Sequence, residues 1–279
     1  MILAGFTFSL MTLAVKFLSH IPAFELVFFR SLISLVLSII LLKFYNIPMF
    51  GNNKKWLFLR GFFGMIALTL FFITLQNLPL ASAVSISYLS PIFTIIFGIF
   101  ILGERVKSLQ WIFFIVSFLG AVLIKGFDTN IAWFYILLGV ASAIFSGLAY
   151  NCVRKVKDTD DALVVVFYFP LVAMPITGVY SAFNWVMPSG VDWLFILALG
   201  LFTQIAQVLM TKSLQGEKLA KISVLKYLGV IYALIYSLLI FNESYSIVNL
   251  LGMLLVLLGV LLNLGFQNKK VLSFFKTNS

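Results

Sequence analysis

Apolar residues run along this chain in blocks of about twenty, broken by short clusters of charge, Pro, Asn and Gly. A helix needs about 20 predominantly apolar residues to cross the hydrocarbon of a bilayer. Divided that way, the sequence predicts ten spanning helices, over roughly 1–19, 23–43, 56–77, 79–102, 108–126, 131–151, 161–182, 191–212, 219–241 and 246–267. The connections between them are short, and none is long enough for a soluble domain. The first stretch is apolar from Met1, without a basic leader or a small-residue cleavage site, so it reads as a span rather than a removed signal peptide. The predicted fold class is an all-α integral membrane protein of ten transmembrane helices.

Composition agrees with the pattern. The 279 residues are 62% hydrophobic and 10% charged, against roughly 45–50% and about 25% in soluble domains. A water-soluble core cannot hide that much apolar surface. The single cysteine, Cys152, excludes an internal disulfide.

The net charge of +10 changes meaning once the charges are placed. With the N-terminus in the cytoplasm, the inner loops and helix ends hold Lys43, Lys54, Lys55, Arg60, Arg105, Lys107, Arg154, Lys155, Lys157, Lys212, Lys218, Lys221, Lys269, Lys270 and Lys276. The outer loops hold Lys125 alone. This asymmetry fits an even number of spans with both termini inside, and a basic cytoplasmic tail over 268–279. The basic residues are topology determinants facing anionic lipid, so no nucleic-acid partner is expected. Lys16, Arg30 and Lys226 remain, and all three fall inside predicted spans.

The chain also repeats itself. LPLASAVSISYLSPIFTIIFGIFILGE (78–104) echoes GEKLAKISVLKYLGVIYALIYSLLIFNE (216–243). An offset of 139 residues pairs Glu104 with Glu243, Tyr88 with Tyr227, Gly120 with Gly259 and Lys16 with Lys155. The expected organisation is two five-helix units, 1–127 and 128–267. Five is odd, so the second enters the membrane from the opposite side, the inverted-repeat plan that puts a substrate site near the midplane.

The sequence here resembles the drug/metabolite transporter superfamily, in its ten-helix EamA-type branch. The motifs that carry the resemblance are GFTFSLMTLAVKF, ending on Lys16, the Arg after aromatics in ELVFFRSL, and LASAVSISYLSPIFTIIFGIFILGE, with a weaker copy over 219–243. It covers nearly the whole chain and implies two EamA repeats and secondary transport. Members handle amino acids, nucleotide-like metabolites, S-adenosylmethionine and xenobiotics. The second half departs from the pattern, with Val230 where the first has Pro91, and with Lys226 before Tyr227.

The polar residues inside the spans are the candidate site. Arg30 lies roughly 10 Å below one face of the second helix, at 1.5 Å per residue. A charge at such depth costs at least about 2.5–3.5 kcal/mol and faces protein or a watered cavity. Its counterpart under the offset is Phe169, so the fold itself does not demand the charge. Two readings stand: an anchor for a substrate carboxylate or phosphate, or a pin for its helix through carbonyl contacts or an ion pair, for which Glu25, five residues earlier and not quite on the same face, is the nearest acid. Lys226 is a second cationic candidate or snorkels to the interface. Lys16 is expected to snorkel or to pair with Glu25. Gln204, Gln207 and Thr211 share a face of the eighth helix, where the amides bond either a substrate or neighbouring helices. Ser87, Pro91 and Thr94 share a face of the fourth, beside Tyr88, and Pro91 frees a mid-helix carbonyl. Ser142, Ser146 and Tyr150 recur at four-residue spacing, and the stripe Gly139, Ala143, Gly147 reads as helix packing. Among the tyrosines, Tyr88, Tyr168, Tyr227, Tyr232 and Tyr236 are cavity candidates because a buried hydroxyl needs a partner. The substrate-binding set is therefore Arg30, Tyr88, Tyr168, Gln204, Gln207, Lys226 and Tyr227. Glu104 and Glu243 end equivalent helices and are expected to tie them to neighbouring loops.

The sequence lacks a phosphate-binding G-x-x-x-x-G-K-[ST], an H-E-x-x-H and a G-x-S-x-G. No catalytic residue, metal or cofactor is expected. No carboxylate falls in the middle third of a span, which argues for downhill or exchange-driven transport over proton coupling. The expected function is secondary transport of a small organic metabolite, best matched by an amino-acid-like anionic or zwitterionic solute, across a bacterial inner membrane. The alternatives are export of cationic or amphipathic drugs, and carriage of S-adenosylmethionine or nucleotide-like metabolites. A monomer or weak homodimer is expected.

Overall fold

A computed structural model describes residues 2–103, 108–125, 132–216 and 228–267. The described residues form helices α1 (Ile2–Phe17), α2 (Ala23–Phe44), α3 (Lys54–Asn77), α4 (Leu80–Ser87), α5 (Ser90–Leu102), α6 (Ser108–Lys125), α7 (Trp133–Lys155), α8 (Ala162–Ser181), α9 (Asp192–Gly216), α10 (Leu228–Leu239) and α11 (Ile247–Gln267). No strand occurs among them. Among the described residues, six stretches are long and apolar enough to cross a membrane: α2, α3, α4 with α5, α7, α8 and α9. The apolar parts of α1, α6, α10 and α11 are shorter. Large apolar side chains such as Phe100 and Leu239 stand 80% and 77% exposed, a surface suited to lipid rather than water.

Local sequence sets the helix ends. Pro22 and Pro79 immediately precede α2 and α4, where a missing N–H costs nothing. Asp161 caps α8 by accepting from the Leu163 N–H at 2.7 Å. Gly103 ends α5 at φ +69°, a left-handed position that suits glycine. The stretch predicted as one helix over 79–102 is two, broken at Tyr88–Leu89. Pro91 has no N–H to offer Ser87, so the ladder stops and restarts there. At their far ends α7 and α9 run to Lys155 and Gly216, beyond the apolar blocks that predicted them.

The main packed pairs are α6 with α11, α2 with α8, α3 with α7, α1 with α9, α5 with α7, α1 with α10, α3 with α8, and α2 with α9. Exchanging the helices related by the 139-residue offset carries α2–α8 and α6–α11 onto themselves and turns each of the other pairs into another in the set. The α6–α11 crossing shows the same symmetry in atoms. A Cβ on Gly120 would lie 2.6 Å from the Val256 nitrogen and 2.7 Å from the Gly252 oxygen. One on Gly259 would lie 2.7 Å from the Phe113 oxygen and 2.9 Å from the Ser117 nitrogen. The offset turns one set of contacts into the other, and Ser117 Oγ donates to the carbonyl of its own counterpart, Val256, at 3.4 Å. Because the obstacles are backbone, Gly120→Ala should cost about 1–3 kcal/mol. A lower Tm in thermal unfolding of the purified protein checks this, and an unchanged Tm would mean the crossing spreads freely.

The Gly139–Gly147 stripe of α7 meets α4 and α5: Cβ atoms there would fall 2.9 Å from Ile86 and 2.7 Å from Phe93. These small residues let the broken helix approach α7 closely, and that approach forms one wall of a central cavity.

Candidate functional site

The cavity is lined from α1, α2, α3, the α4–α5 break, and α7 through α10. Two arginines enter it. Arg30 is seven residues into α2 and Arg60 six residues into α3. These helices run antiparallel, since Gln76 near the end of α3 donates to the Ile21 carbonyl just before α2, at 2.8 Å. The two side chains therefore come from opposite ends of the bundle and converge.

They converge on Phe169 of α8. The guanidinium carbons lie over its ring, 4.6 Å from the centroid for Arg30 and 5.2 Å for Arg60, within the range of cation–π attraction. Only 1% of Arg30 and 3% of Arg60 is exposed. Arg30 Nε donates to Thr203 Oγ1 at 3.1 Å, and Arg60 Nη2 donates to Gln207 Oε1 at 3.1 Å. Both partners are neutral. Arg30 Nη1 and Arg60 Nε are buried without a hydrogen-bond partner. The ion pairs among the described residues are Lys16–Glu243 and His20–Asp192, so no carboxylate offsets either guanidinium. Holding an uncompensated charge away from water costs several kcal/mol. A small-molecule anion is the group that would repay it.

Glycine makes the convergence possible. A Cβ on Gly61 would sit 2.6 Å from the Tyr168 carbonyl, so its absence lets α3 close on α8. One on Gly64 would fall 2.9 Å from both Arg60 Nη1 and a Phe169 ring carbon. The rest of the lining is mixed. Ser87, Tyr88 and Ser90 at the helix break and Ser142, Ser146 and Tyr150 of α7 supply hydroxyls. Phe8, Met11, Leu68 and Phe71 supply apolar surface.

Of the substrate-binding set expected from the sequence, Arg30, Tyr88 and Gln207 line the cavity. The Tyr88 hydroxyl lies against α10 at Gly229, where a Cβ would come within 2.2 Å of it. Gln204 turns instead to α2, donating to Ser38 Oγ at 2.9 Å. Tyr168 packs in a separate apolar cluster with Leu57 and Val164. Lys226, Tyr227 and Glu104 lie outside the described residues.

Three expectations need correction. Arg60, counted above among the inner helix-end charges, is a cavity residue, because its long side chain reaches inward from the first turns of α3. Arg30 does not pair with Glu25, whose Oε2 accepts from the Val186 N–H at 3.0 Å. Nor does Lys16, which pairs with Glu243 at 3.0 Å and donates to the Leu78 carbonyl at 2.8 Å. Phe169 was the other residue missed; its only sequence signal was its pairing with Arg30 under the offset.

The cluster around Glu243 ties α1, α4 and the α10–α11 connection together. Its Oε2 accepts from the Leu80 N–H at 2.8 Å, at the positive end of the α4 dipole, and from Tyr245 at 3.0 Å. Ser237 also donates to it. Burial pulls the Glu243 pKa up, but the Ser237 hydrogen bond, the Lys16 ammonium and the Leu80 N–H outweigh it and hold the carboxyl below its ordinary value of 4.5.

Comparison with known proteins gives these features a context. The model of the EamA-like transporter family matches residues 1–126 and 133–265. The chain is 28% identical over 261 residues to the pseudopaline exporter CntI of Pseudomonas aeruginosa (strain UCBPP-PA14), covering 92% of each. It is 28% identical over 260 residues to human solute carrier family 35 member G1, covering 87% of this chain and 71% of that one. A crystal structure of a protein 21% identical to it superposes with a TM-score of 0.68, covering 92% of this chain and 94% of that one, which shows a shared fold.

Proposed function

We propose, from the premise that the chain belongs to the EamA-like transporter family, that it is a secondary transporter of a small organic solute bearing an anionic group. Alternating access between the two five-helix units would carry the solute past the α2–α8 contact. The observation that carries this reading is the pair of buried, uncompensated guanidiniums over Phe169. A cavity holding two cations and, among the described residues, no carboxylate repels an organic cation, which counts against export of cationic drugs. It suits instead the two-pronged donor geometry of arginine toward carboxylate or phosphate. The serine and tyrosine hydroxyls would bond the polar remainder of the solute. Likeness to an exporter of pseudopaline and to a solute carrier agrees with a small metabolite as cargo.

Coupling follows from the same lining. No described cavity residue is a carboxylate or histidine that could pick up a proton, so this reading has transport running downhill or by exchange. The empty cavity carries two bare charges and is costly to occlude, which favours return in the loaded form. The reading has the chain in a bacterial inner membrane with both termini cytoplasmic; removing Arg60 from the inner set leaves the Lys and Arg asymmetry intact. Counterflow in proteoliposomes tests it. Vesicles holding the purified protein and preloaded with a mixture of amino acids and organic acids should take up labelled solute from that mixture at least tenfold faster than protein-free vesicles. An imposed pH gradient should not alter the rate. Uphill accumulation driven by that gradient would contradict exchange, and counterflow confined to organic cations would contradict the anionic cargo.

A further inference from the structure

We infer that the cargo carries two anionic groups, one for each of Arg30 and Arg60; this rests on the transport reading above and narrows it. Charge left unpaired in a buried site is costly. Each guanidinium is buried, each has a single neutral side-chain acceptor, and each keeps a buried N–H group without a partner, Nη1 on Arg30 and Nε on Arg60. Thr203 and Gln207 orient the two groups without neutralising them. Phe169 attracts both through its ring face, and that attraction is far weaker than an ion pair in a medium of low dielectric constant.

A solute with one negative charge satisfies one arginine and leaves the other as an unpaired cation inside the membrane. A solute with two cancels both. The arginines come from α2 and α3, from opposite ends of the bundle, so they present separate two-pronged forks rather than a single combined one. Two carboxylates on a short carbon skeleton fit this arrangement, and so does a doubly ionised phosphate ester that bridges the forks. The shared chemistry is a compact group of charge −2. The hydroxyl residues of the lining, from Ser87 to Tyr150, are neutral and offer no charge to a solute ammonium.

The test is direct binding to the purified full-length chain in detergent at pH 7.5, by calorimetry, with four probes: succinate, glycerol 3-phosphate, butyrate and glycerol. At this pH the phosphate ester is largely doubly ionised, its second pKa lying near about 6. Succinate or glycerol 3-phosphate should bind at least tenfold more tightly than butyrate, and glycerol should not bind. Which of the two dianions is preferred separates a dicarboxylate site from a phosphate site. Arg60→Gln should bring the preference for a dianion over butyrate close to one, and Arg60→Lys should retain most of it. If Arg60→Gln does not fold, the wild-type ratio alone decides. Equal binding of butyrate and the dianions, or binding of none of them, overturns the inference. The transport reading fails by a different result, the absence of counterflow for every solute offered. Counterflow of a neutral amino acid without dianion binding would sink this inference and leave transport standing.

Discussion

Replacing Arg30 and Arg60 together by glutamine should abolish solute exchange and yet leave a protein more resistant to unfolding. The two effects share a cause. In the ligand-free protein both guanidiniums are buried with no counter-charge, and each leaves an N–H group unbonded. An uncompensated buried ion carries a desolvation penalty of several kcal/mol, which its neutral replacement does not. A glutamine amide at position 30 falls near the place of the arginine Nε and can still donate to Thr203, while the one at position 60 is too short for Gln207, which keeps the cavity beside it. What is lost is the charge for the cargo, and the expected drop in exchange is at least about 100-fold, since truncating one member of a desolvated charge pair costs 2–5 kcal/mol or more. Thermal unfolding and proteoliposome counterflow on the same preparation read the two effects. A lower Tm with unchanged exchange would make the arginines structural pins, the alternative that the sequence left open for Arg30.

The second large effect is expected at the other charged cluster. Glu243→Ala removes at once the acceptor for the Leu80 N–H, for Tyr245 and for Ser237, and strands the Lys16 ammonium. Lost hydrogen bonds to a charged group and a partly buried unpaired lysine together should cost at least about 3 kcal/mol. A double variant that also replaces Lys16 by Met should recover part of that loss, because no bare cation is then left behind. Acid should weaken the same cluster in the wild type. Glu243 is held below its ordinary pKa of 4.5, so the stability it contributes is full above that value and disappears as pH falls through the lower folded-state pKa. Glu243→Gln should flatten that part of the stability profile. Equal Tm values for wild type and Glu243→Ala at neutral pH would mean the cluster ties nothing together.

Much of this architecture is legible in the sequence for simple reasons. Apolar blocks mark the helices, but the break at Tyr88 reads as a continuous helix over 79–102, because the apolar run continues through Pro91 and hides the missing N–H that interrupts the ladder. Arg30 stands out because it interrupts a long apolar run with no acid on its own face. Arg60 is hidden by its neighbours: after Lys54 and Lys55 it looks like a third interfacial cation. Its direction is set by tertiary packing, where Gly61 and Gly64 bring α3 against α8 and clear the space that the side chain enters. Phe169 is one of 31 phenylalanines, with nothing local to distinguish it. Gln204 and Gln207 share a stripe, yet three residues of helix turn one amide toward Ser38 of α2 and the other toward Arg60. A hydrophobic pattern gives the face of a helix to within that rotation and no better.

The central claim is that the two guanidiniums over Phe169 form the anion site. The most direct measurement is an experimental structure of the full chain with the solute that shows the fastest counterflow. Density for its anionic groups is expected within hydrogen-bond distance of Arg30 and Arg60. Density for the solute elsewhere, with both arginines unchanged and unliganded, would contradict it.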